Sequence, residues 1–155
     1  MMIVAVPPRA DNNDMPSIKY REGFKYQLAE TYCLSIPITP FRPISEEYIQ
    51  LDADGGLTIR EGYAWDGPSG PTIDTLNFMR GSLVHDALYQ LLRDQKFSPW
   101  KHDEYRIIAD QLLYDICRED GMSALRAWWV HWAVRNFGGP SASPQNAKKI
   151  IAAPR

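Results

Sequence analysis

Hydrophobic and polar residues alternate in the first half of the chain, which predicts β-strands. Residues 26–38, YQLAETYCLSIPI, alternate and carry β-branched and aromatic side chains, as expected for one or two strands. Three prolines then interrupt the pattern, at Pro37, Pro40 and Pro43. Residues 1–19 are rich in Pro, Asn and Asp, and we expect them to form an arm or a short edge strand with loops.

The clearest hairpin signal lies in residues 49–59, IQLDADGGLTI. Apolar residues alternate on both sides of Asp54-Gly55-Gly56, where glycine adopts positive φ at little cost. The second strand leads into the sequence DGPSGPT, which is too rich in Gly and Pro to be anything but a loop.

The second half of the chain changes to a helical period. Residues 77–94 carry one apolar stripe, formed by Leu83, Val84, Ala87, Leu88, Leu91 and Leu92. A second helix is predicted over residues 103–119, with Gly121 ending it. A third is predicted over residues 123–137, with Ser123 as its N-cap and Gly138-Gly139-Pro140 after it.

These elements predict a single α+β domain over residues 1–155, which is long enough to bury a core without disulfides. Residues 1–70 form the β-hairpin-rich part and the Asp-Gly loop. Residues 71–138 form the helical part, and residues 139–155 are polar enough to be a mobile tail.

Charge and cysteine content limit the function classes. The formal charge of -2 gives no electrostatic drive toward nucleic acid. Two cysteines, Cys33 and Cys117, cannot form a disulfide framework, which favours a reducing compartment. The first residues do not resemble a signal peptide, and no run is long enough to span a membrane. The sequence therefore predicts a chain made and folded in cytoplasm.

The candidate chemistry lies on the first predicted helix. His85 and Tyr89 are four residues apart and so share a face, and Asp86 is about a quarter-turn away. On the second helix Asp110 falls within or beside an apolar stripe, where a carboxylate needs a partner. If the two helices pack antiparallel, His85 is that partner, and its other ring nitrogen is free to act as a base.

A second set of oxygen ligands precedes the helix. Asp66 and the Gly67 carbonyl could approach Asp86 and form the kind of oxygen cage that Ca²⁺ prefers. The alternative is that Asp66 only caps a turn before glycine, which is common.

The order Asp66-Gly67, His85-Asp86-x-x-Tyr89, Asp110 and finally AWWVHWAVRNFGG resembles the small secreted phospholipases A₂ of bacteria and fungi. The resemblance implies a core of two antiparallel helices plus a C-terminal helix. It implies that His85 activates water, that Asp110 orients His85, and that Tyr89 braces the pair. It also implies that Asp66, Gly67 and Asp86 bind Ca²⁺, and that the substrate is a phospholipid or another ester.

Residues 62–139 are also similar to a family of uncharacterised proteins frequent in phages and prophages, and the chain is identified as a member. The shared order is G-[FY]-x-x-D-G-x-S, then HD-x-x-Y, then AD. This resemblance implies a phage-encoded protein made in host cytoplasm, either remaining there or packaged in the virion.

Two functions therefore stay open. One is a calcium-dependent esterase similar to phospholipase A₂. The other is a phage structural or assembly protein that keeps the helix pair as a scaffold and has no activity. In the second case His85 and Asp86 only form hydrogen bonds in the core, Tyr89 is a packing residue with a satisfied hydroxyl, and Asp110 is a carboxylate at the solvent edge. Trp128, Trp129 and Trp132 on the third helix are either a core anchor, the more ordinary interpretation, or a docking face for lipid or a phage protein.

Overall fold

The fold is α+β, and the described residues form two antiparallel sheets followed by four helices. The computed structural model describes residues 18, 20–21, 26–67 and 75–147. The predicted N-terminal arm, apart from these few positions, lies outside the described residues, as do loop residues 68–74 and the last part of the predicted tail, residues 148–155.

Both sheets are built from short strands of the first half. The three-stranded sheet has the order β1-β2-β7, with β1 at Tyr20–Arg21, β2 at Tyr26–Leu28 and β7 at Ala64–Trp65. The four-stranded sheet has the order β3-β6-β5-β4, with β3 at Tyr32–Ser35, β4 at Ile44–Ser45, β5 at Ile49–Leu51 and β6 at Gly56–Ile59. The run at residues 26–38 thus divides into two strands that belong to different sheets.

The predicted hairpin is confirmed between β5 and β6. Leu51 pairs with Leu57 and Ile49 with Ile59, so the apolar residues of both strands share the core face. Gly55 makes the turn with φ of 91°, in the region that only glycine occupies without strain. A Cβ at this position would lie 2.4 Å from the Ile36 carbonyl oxygen, so the site also lacks room for a side chain.

The three long helices are confirmed, with bounds close to those predicted. Helix α1 spans Leu76–Arg93, α2 spans His102–Glu119 and α3 spans Ala124–Phe137. Ser123 is the N-cap of α3, and its hydroxyl accepts a hydrogen bond from the Arg126 amide at 3.4 Å. Gly121, with φ of 87°, turns the chain between α2 and α3. A 3₁₀ turn at Pro99–Lys101 separates α1 from α2.

Helices α1 and α2 pack antiparallel. As residue numbers increase along α1, the residues of α2 that they contact have decreasing numbers. A Cβ on Gly81 would touch Cys117, whereas Tyr89, two turns later on α1, contacts Arg106. The apolar stripe of α1 and the core faces of the sheets belong to one buried cluster, which includes Leu28, Ile59, Leu88 and Leu92. The sheet half thus fixes α1 from one side while α2 holds it from the other.

A buried arginine joins the sheet half to both helices. Arg80 on α1 is 4% exposed, and its guanidinium donates to the Tyr32 hydroxyl at 3.0 Å and to the Asp120 carboxylate at 2.8 Å. It also donates to Glu119 at the end of α2. A guanidinium is tolerated here because carboxylates and a phenol satisfy its donors.

The segment after α3 packs against the helices. Gly139–Ala142 form a short helix, α4, and Pro144–Asn146 form a 3₁₀ turn. Ala142 is fully buried, and its carbonyl oxygen lies 3.0 Å from His102 Nε2. Residues 139–147, which the sequence assigns to a mobile tail, instead form these two elements, and backbone carbonyls and one small apolar side chain find partners on α1 and α2. Within the described part of the chain, no helix is both long and apolar enough to cross a membrane.

Candidate functional site

Helices α1 and α2 bring His85, Tyr89 and Asp110 together. His85 Nε2 lies 2.8 Å from Asp110 Oδ1, and the Tyr89 hydroxyl donates to the same oxygen at 2.6 Å. The imidazole and phenol rings lie against each other, with centroids 4.0 Å apart. The predicted hydrogen bond between His85 and Asp110 is confirmed, and antiparallel packing of the two helices produces it.

Asp110 is fully buried and is held by donors from three directions. Besides His85 and Tyr89, Arg135 on α3 donates to Oδ2 at 2.8 Å. Burial opposes the charged form, but the hydrogen bonds from His85, Tyr89 and Arg135 outweigh it and hold the pKa of Asp110 below its usual range. The carboxylate is therefore ionised, and Nε2 of His85 carries the proton that it donates.

His85 is 7% exposed, and its two ring nitrogens differ in their surroundings. Burial would lower the pKa of His85, but the hydrogen bond to Asp110 and the nearby Asp86 carboxylate raise it above its usual value. Nδ1 makes no hydrogen bond to a described residue; Asp86 Oδ1 lies 3.9 Å away, beyond hydrogen-bonding distance. The site thus presents one anchored nitrogen and one available nitrogen.

A second arginine ties Tyr89 to the end of α3. Arg106 on α2 donates to the Tyr89 hydroxyl at 3.2 Å, and to the carbonyls of Val134 and Arg135 at 3.0 Å each. Those carbonyls belong to the last turn of α3, where most helix carbonyls lack intrahelical partners; the Val134 carbonyl also accepts from the Gly138 amide at 2.8 Å. The hydrogen-bond network therefore joins all three long helices.

Two cavities meet at this network. The smaller, of about 90 Å³, is lined by His85 and by apolar side chains of α1, α2 and α3: Phe78, Leu113, Val130, Ala133 and Val134. The larger, of about 230 Å³, lies between the β7 region and the second half of α1 and is lined by Asp66, Asp86, Arg93 and Asp94. Asp86 and Tyr89 line both cavities.

The residues expected to bind calcium lie at these cavities. Asp66 and Asp86 both line the larger cavity, and Gly67, with φ of 71°, lines the smaller one beside Asp86. Trp65 Nε1 donates to Ser82 on α1 at 3.1 Å, which fixes the start of this loop against the helix. Over the described residues, no group of three or more His, Cys, Asp or Glu side chains is arranged to hold a metal ion. The donor types still fit Ca²⁺, since it also takes backbone carbonyls and waters as ligands.

The sequence did not single out the two arginines that complete the network. Arg135 stands in the pattern at the end of α3, but nothing in the local sequence shows that it reaches Asp110 on another helix. The only signal is indirect, because a buried carboxylate with one histidine partner needs further donors.

The interpretation of the α3 tryptophans as a core anchor is wrong. Trp128, Trp129 and Trp132 are 56%, 43% and 38% exposed, and the Trp129 and Trp132 rings stack with centroids 5.0 Å apart. Helix α3 instead buries Ala127 and Val130 against α2, because residues three apart share the face opposite the indoles.

Comparisons with protein-family models, with curated proteins and with solved structures found no match to this chain.

Proposed function

We propose that the protein is an ester hydrolase similar to phospholipase A₂, in which a His-Asp pair activates water. The observation that carries this proposal is that the two ring nitrogens of His85 have different surroundings. Nε2 is anchored on a buried, ionised Asp110, while Nδ1 has no hydrogen-bond partner among the described residues and the ring lines a cavity. This is the arrangement that a positioned general base requires.

In this mechanism Nδ1 of His85 takes a proton from a water molecule as its oxygen attacks the ester carbonyl. Asp110 stabilises the imidazolium that forms, and Tyr89 and Arg135 hold the carboxylate in place. When the tetrahedral intermediate collapses, the bond to the alcohol oxygen breaks and the imidazolium returns its proton to that oxygen. The products are a carboxylic acid and an alcohol.

Calcium is the proposed cofactor, held by the Asp66 and Asp86 carboxylates and the Gly67 carbonyl. When bound, it would supply a Lewis acid that stabilises negative charge on the carbonyl oxygen. The two cavities suit an ester with an apolar acyl part and a polar alcohol part, such as a phospholipid, because the smaller is walled by apolar side chains and the larger by charged ones.

The experiment compares wild type with His85→Ala and Asp86→Asn in hydrolysis of phospholipid and of a chromogenic ester. Loss of a positioned base should lower the rate by about 10²–10⁴-fold. Chelation of wild type with EGTA should reproduce the Asp86→Asn effect. Unfolding curves of all three proteins show whether a loss of rate follows from a loss of fold. An absence of calcium-dependent activity of wild type on any ester tested would refute the esterase proposal.

The exposed tryptophans favour a second candidate, a phage structural or assembly protein. In this role Trp128, Trp129 and Trp132 would form the docking face for another phage protein, and the His85–Asp110 pair would only stabilise the helix packing. Replacing all three indoles with Ala should then abolish incorporation into virions and leave the free energy of unfolding nearly unchanged. An esterase that does not depend on this face would keep its activity in the same variant.

Both proposals include a phage origin and synthesis in host cytoplasm. In both, the protein then either stays there or is packaged in the virion. Mass spectrometry of purified virions distinguishes retention from packaging.

A further inference from the structure

The larger cavity has a wall whose residues have no stated role in the proposed mechanism. This wall consists of Tyr63 and Trp65 on the sheet side and of Gln90, Arg93 and Asp94 at the end of α1. No described residue of the sheet half, which contributes Tyr63, forms a hydrogen bond in the His85–Asp110 network.

Tyr63 is a buried side chain whose hydroxyl has no partner in the described part of the protein. The residue is 5% exposed, and its backbone, but not its phenol, forms hydrogen bonds there. Burial raises the pKa of this hydroxyl, the charges of Asp86 and Asp94 raise it further, and Arg93 opposes them. Tyr63 lines the larger cavity together with these charged residues. Buried hydroxyls are nearly always hydrogen-bonded, and a bound ligand would supply the missing partner.

The end of α1 offers one charge of each sign at the same cavity. The Arg93 guanidinium donates to the Ser141 carbonyl at 2.7 Å, which fixes its position and leaves its other donors available. Asp94 is the C-cap residue of α1; it is exposed and lines the cavity. Asp66 and Asp86 add two further carboxylates to the lining, so the cavity as a whole favours a cationic group and Arg93 is the one place in it for an anionic group. A zwitterion, which carries both charges, can satisfy both.

The volume limits the size of this ligand. A cavity of roughly 150 Å³ holds benzene, so a cavity of about 230 Å³ has room for roughly nine non-hydrogen atoms. A phosphate joined to a primary ammonium by a short linker, phosphoethanolamine, has about eight non-hydrogen atoms and fits this limit.

We propose that this cavity binds a phosphoethanolamine group, with the ammonium at the Tyr63 hydroxyl and the Asp94 carboxylate and the phosphate at Arg93. The assignment to a lipid headgroup rests on the proposed esterase function, in which the group belongs to the substrate. Free phosphoethanolamine is the other source of the same chemistry.

The test is an NMR titration in calcium-free buffer, where no hydrolysis is needed for a signal. Wild type should bind O-phosphoethanolamine at least about tenfold more tightly than ethanolamine or inorganic phosphate alone, because each half satisfies only one charge. Tyr63→Phe and Asp94→Asn should each weaken binding by about three- to tenfold. Tyr63→Phe should leave the melting temperature unchanged, because the hydroxyl has no partner in the described structure. The matched controls are Tyr48→Phe and Asp103→Asn, neither of which lines the cavity.

Equal binding of phosphate or of ethanolamine alone, unaltered binding in either cavity variant, or no binding of phosphoethanolamine would each overturn the proposal. Sedimentation with vesicles of phosphatidylcholine, with and without phosphatidylethanolamine, identifies the source. Enrichment on the ethanolamine vesicles that Tyr63→Phe weakens assigns a lipid headgroup, and binding of the soluble compound alone assigns the free one. Binding without hydrolysis of any ester would refute the esterase and leave this site in place.

Discussion

The substitution Asp110→Asn tests whether the buried carboxylate holds the three helices together. Asp110 accepts from His85 at 2.8 Å, from Tyr89 at 2.6 Å and from Arg135 at 2.8 Å. Asparagine has nearly the same shape but carries one NH₂ group where the carboxylate has an acceptor. One of the three donors would therefore face another donor, and Arg135 would lose its counter-charge.

Removing one partner of a buried ion pair costs about 3–5 kcal/mol, because the other charge stays buried without compensation. Asparagine keeps one carbonyl acceptor, and Arg135 is about one-third exposed, so we expect the low end, about 3 kcal/mol. That is a large part of the 5–15 kcal/mol typical of a whole domain. The matched control is Asp103→Asn, on the same helix but with its side chain 98% exposed, which should change stability by less than about 0.5 kcal/mol.

The difference in free energy of unfolding between wild type and Asp110→Asn should depend on pH in a definite direction. The pKa of Asp110 is lowered in the fold, so its contribution is present above its ordinary pKa of about 3.9 and is lost as pH falls through the lower folded value. The pKa of His85 is raised, so its contribution is complete below its ordinary pKa of about 6.5 and is lost as pH rises through the higher folded value. The gap between wild type and Asp110→Asn should therefore be widest between about pH 4 and 6.5.

The assay is urea unfolding followed by circular dichroism, from pH 4 to 9, for wild type, Asp110→Asn and Asp103→Asn. A difference below about 0.5 kcal/mol at pH 6 would refute the reasoning, because that is the size of an ordinary surface effect. A gap that widens above pH 7 would contradict the assigned direction of the His85 pKa.

Three further predictions follow from contacts elsewhere in the chain. Iodoacetamide should label exposed Cys33 in the native protein but reach Cys117 only after unfolding, because burial raises the pKa of that thiol to about 12. Peptide mass spectrometry measures labelling at both sites. A reductant should not change the melting temperature. Gly81→Ala should lower stability by about 1–3 kcal/mol despite the better helix propensity of alanine, because its Cβ would lie 2.8 Å from Cys117 Sγ; a melting temperature equal to that of wild type would contradict this packing. Gly138→Ala should destabilise similarly, by about 1–3 kcal/mol, because its Cβ would lie 2.9 Å from the Tyr89 hydroxyl and 2.5 Å from the Val134 carbonyl oxygen; an unperturbed Tyr89 NMR spectrum would count against it.

Local pattern was sufficient to predict most of the fold. The apolar stripe of α1, the cap at Ser123 and the turn at Gly55 each depend on residues within a few positions of one another. The pairing of strands into two sheets was not predictable, because β2 pairs with β7 across almost forty residues and nothing local specifies such a partner.

The candidate site likewise contains residues that local sequence predicts and residues that only tertiary packing brings there. His85 and Tyr89 share a face because they are four apart on one helix, and a buried Asp110 required a partner. Arg135 on α3 reaches Asp110 through tertiary packing alone, and Tyr63 of the sheet half reaches the larger cavity in the same way. The tryptophans were misjudged because composition does not show which side of a helix faces its neighbour; Ala127 and Val130 determine that side.

The His85–Asp110 network alone does not distinguish an enzyme from a scaffold, because either one gains from a satisfied buried carboxylate. The distinguishing feature is the second nitrogen of His85. A scaffold gains little from an imidazole whose Nδ1 lacks a hydrogen-bond partner among the described residues, faces the Asp86 carboxylate only at 3.9 Å, and belongs to a ring that lines a cavity. A general base requires that arrangement, because the nitrogen that takes the proton must be accessible to water while the other holds the ring in place. Buried polar groups that lack hydrogen-bond partners occur most often at functional sites, and for this reason the esterase is the leading proposal.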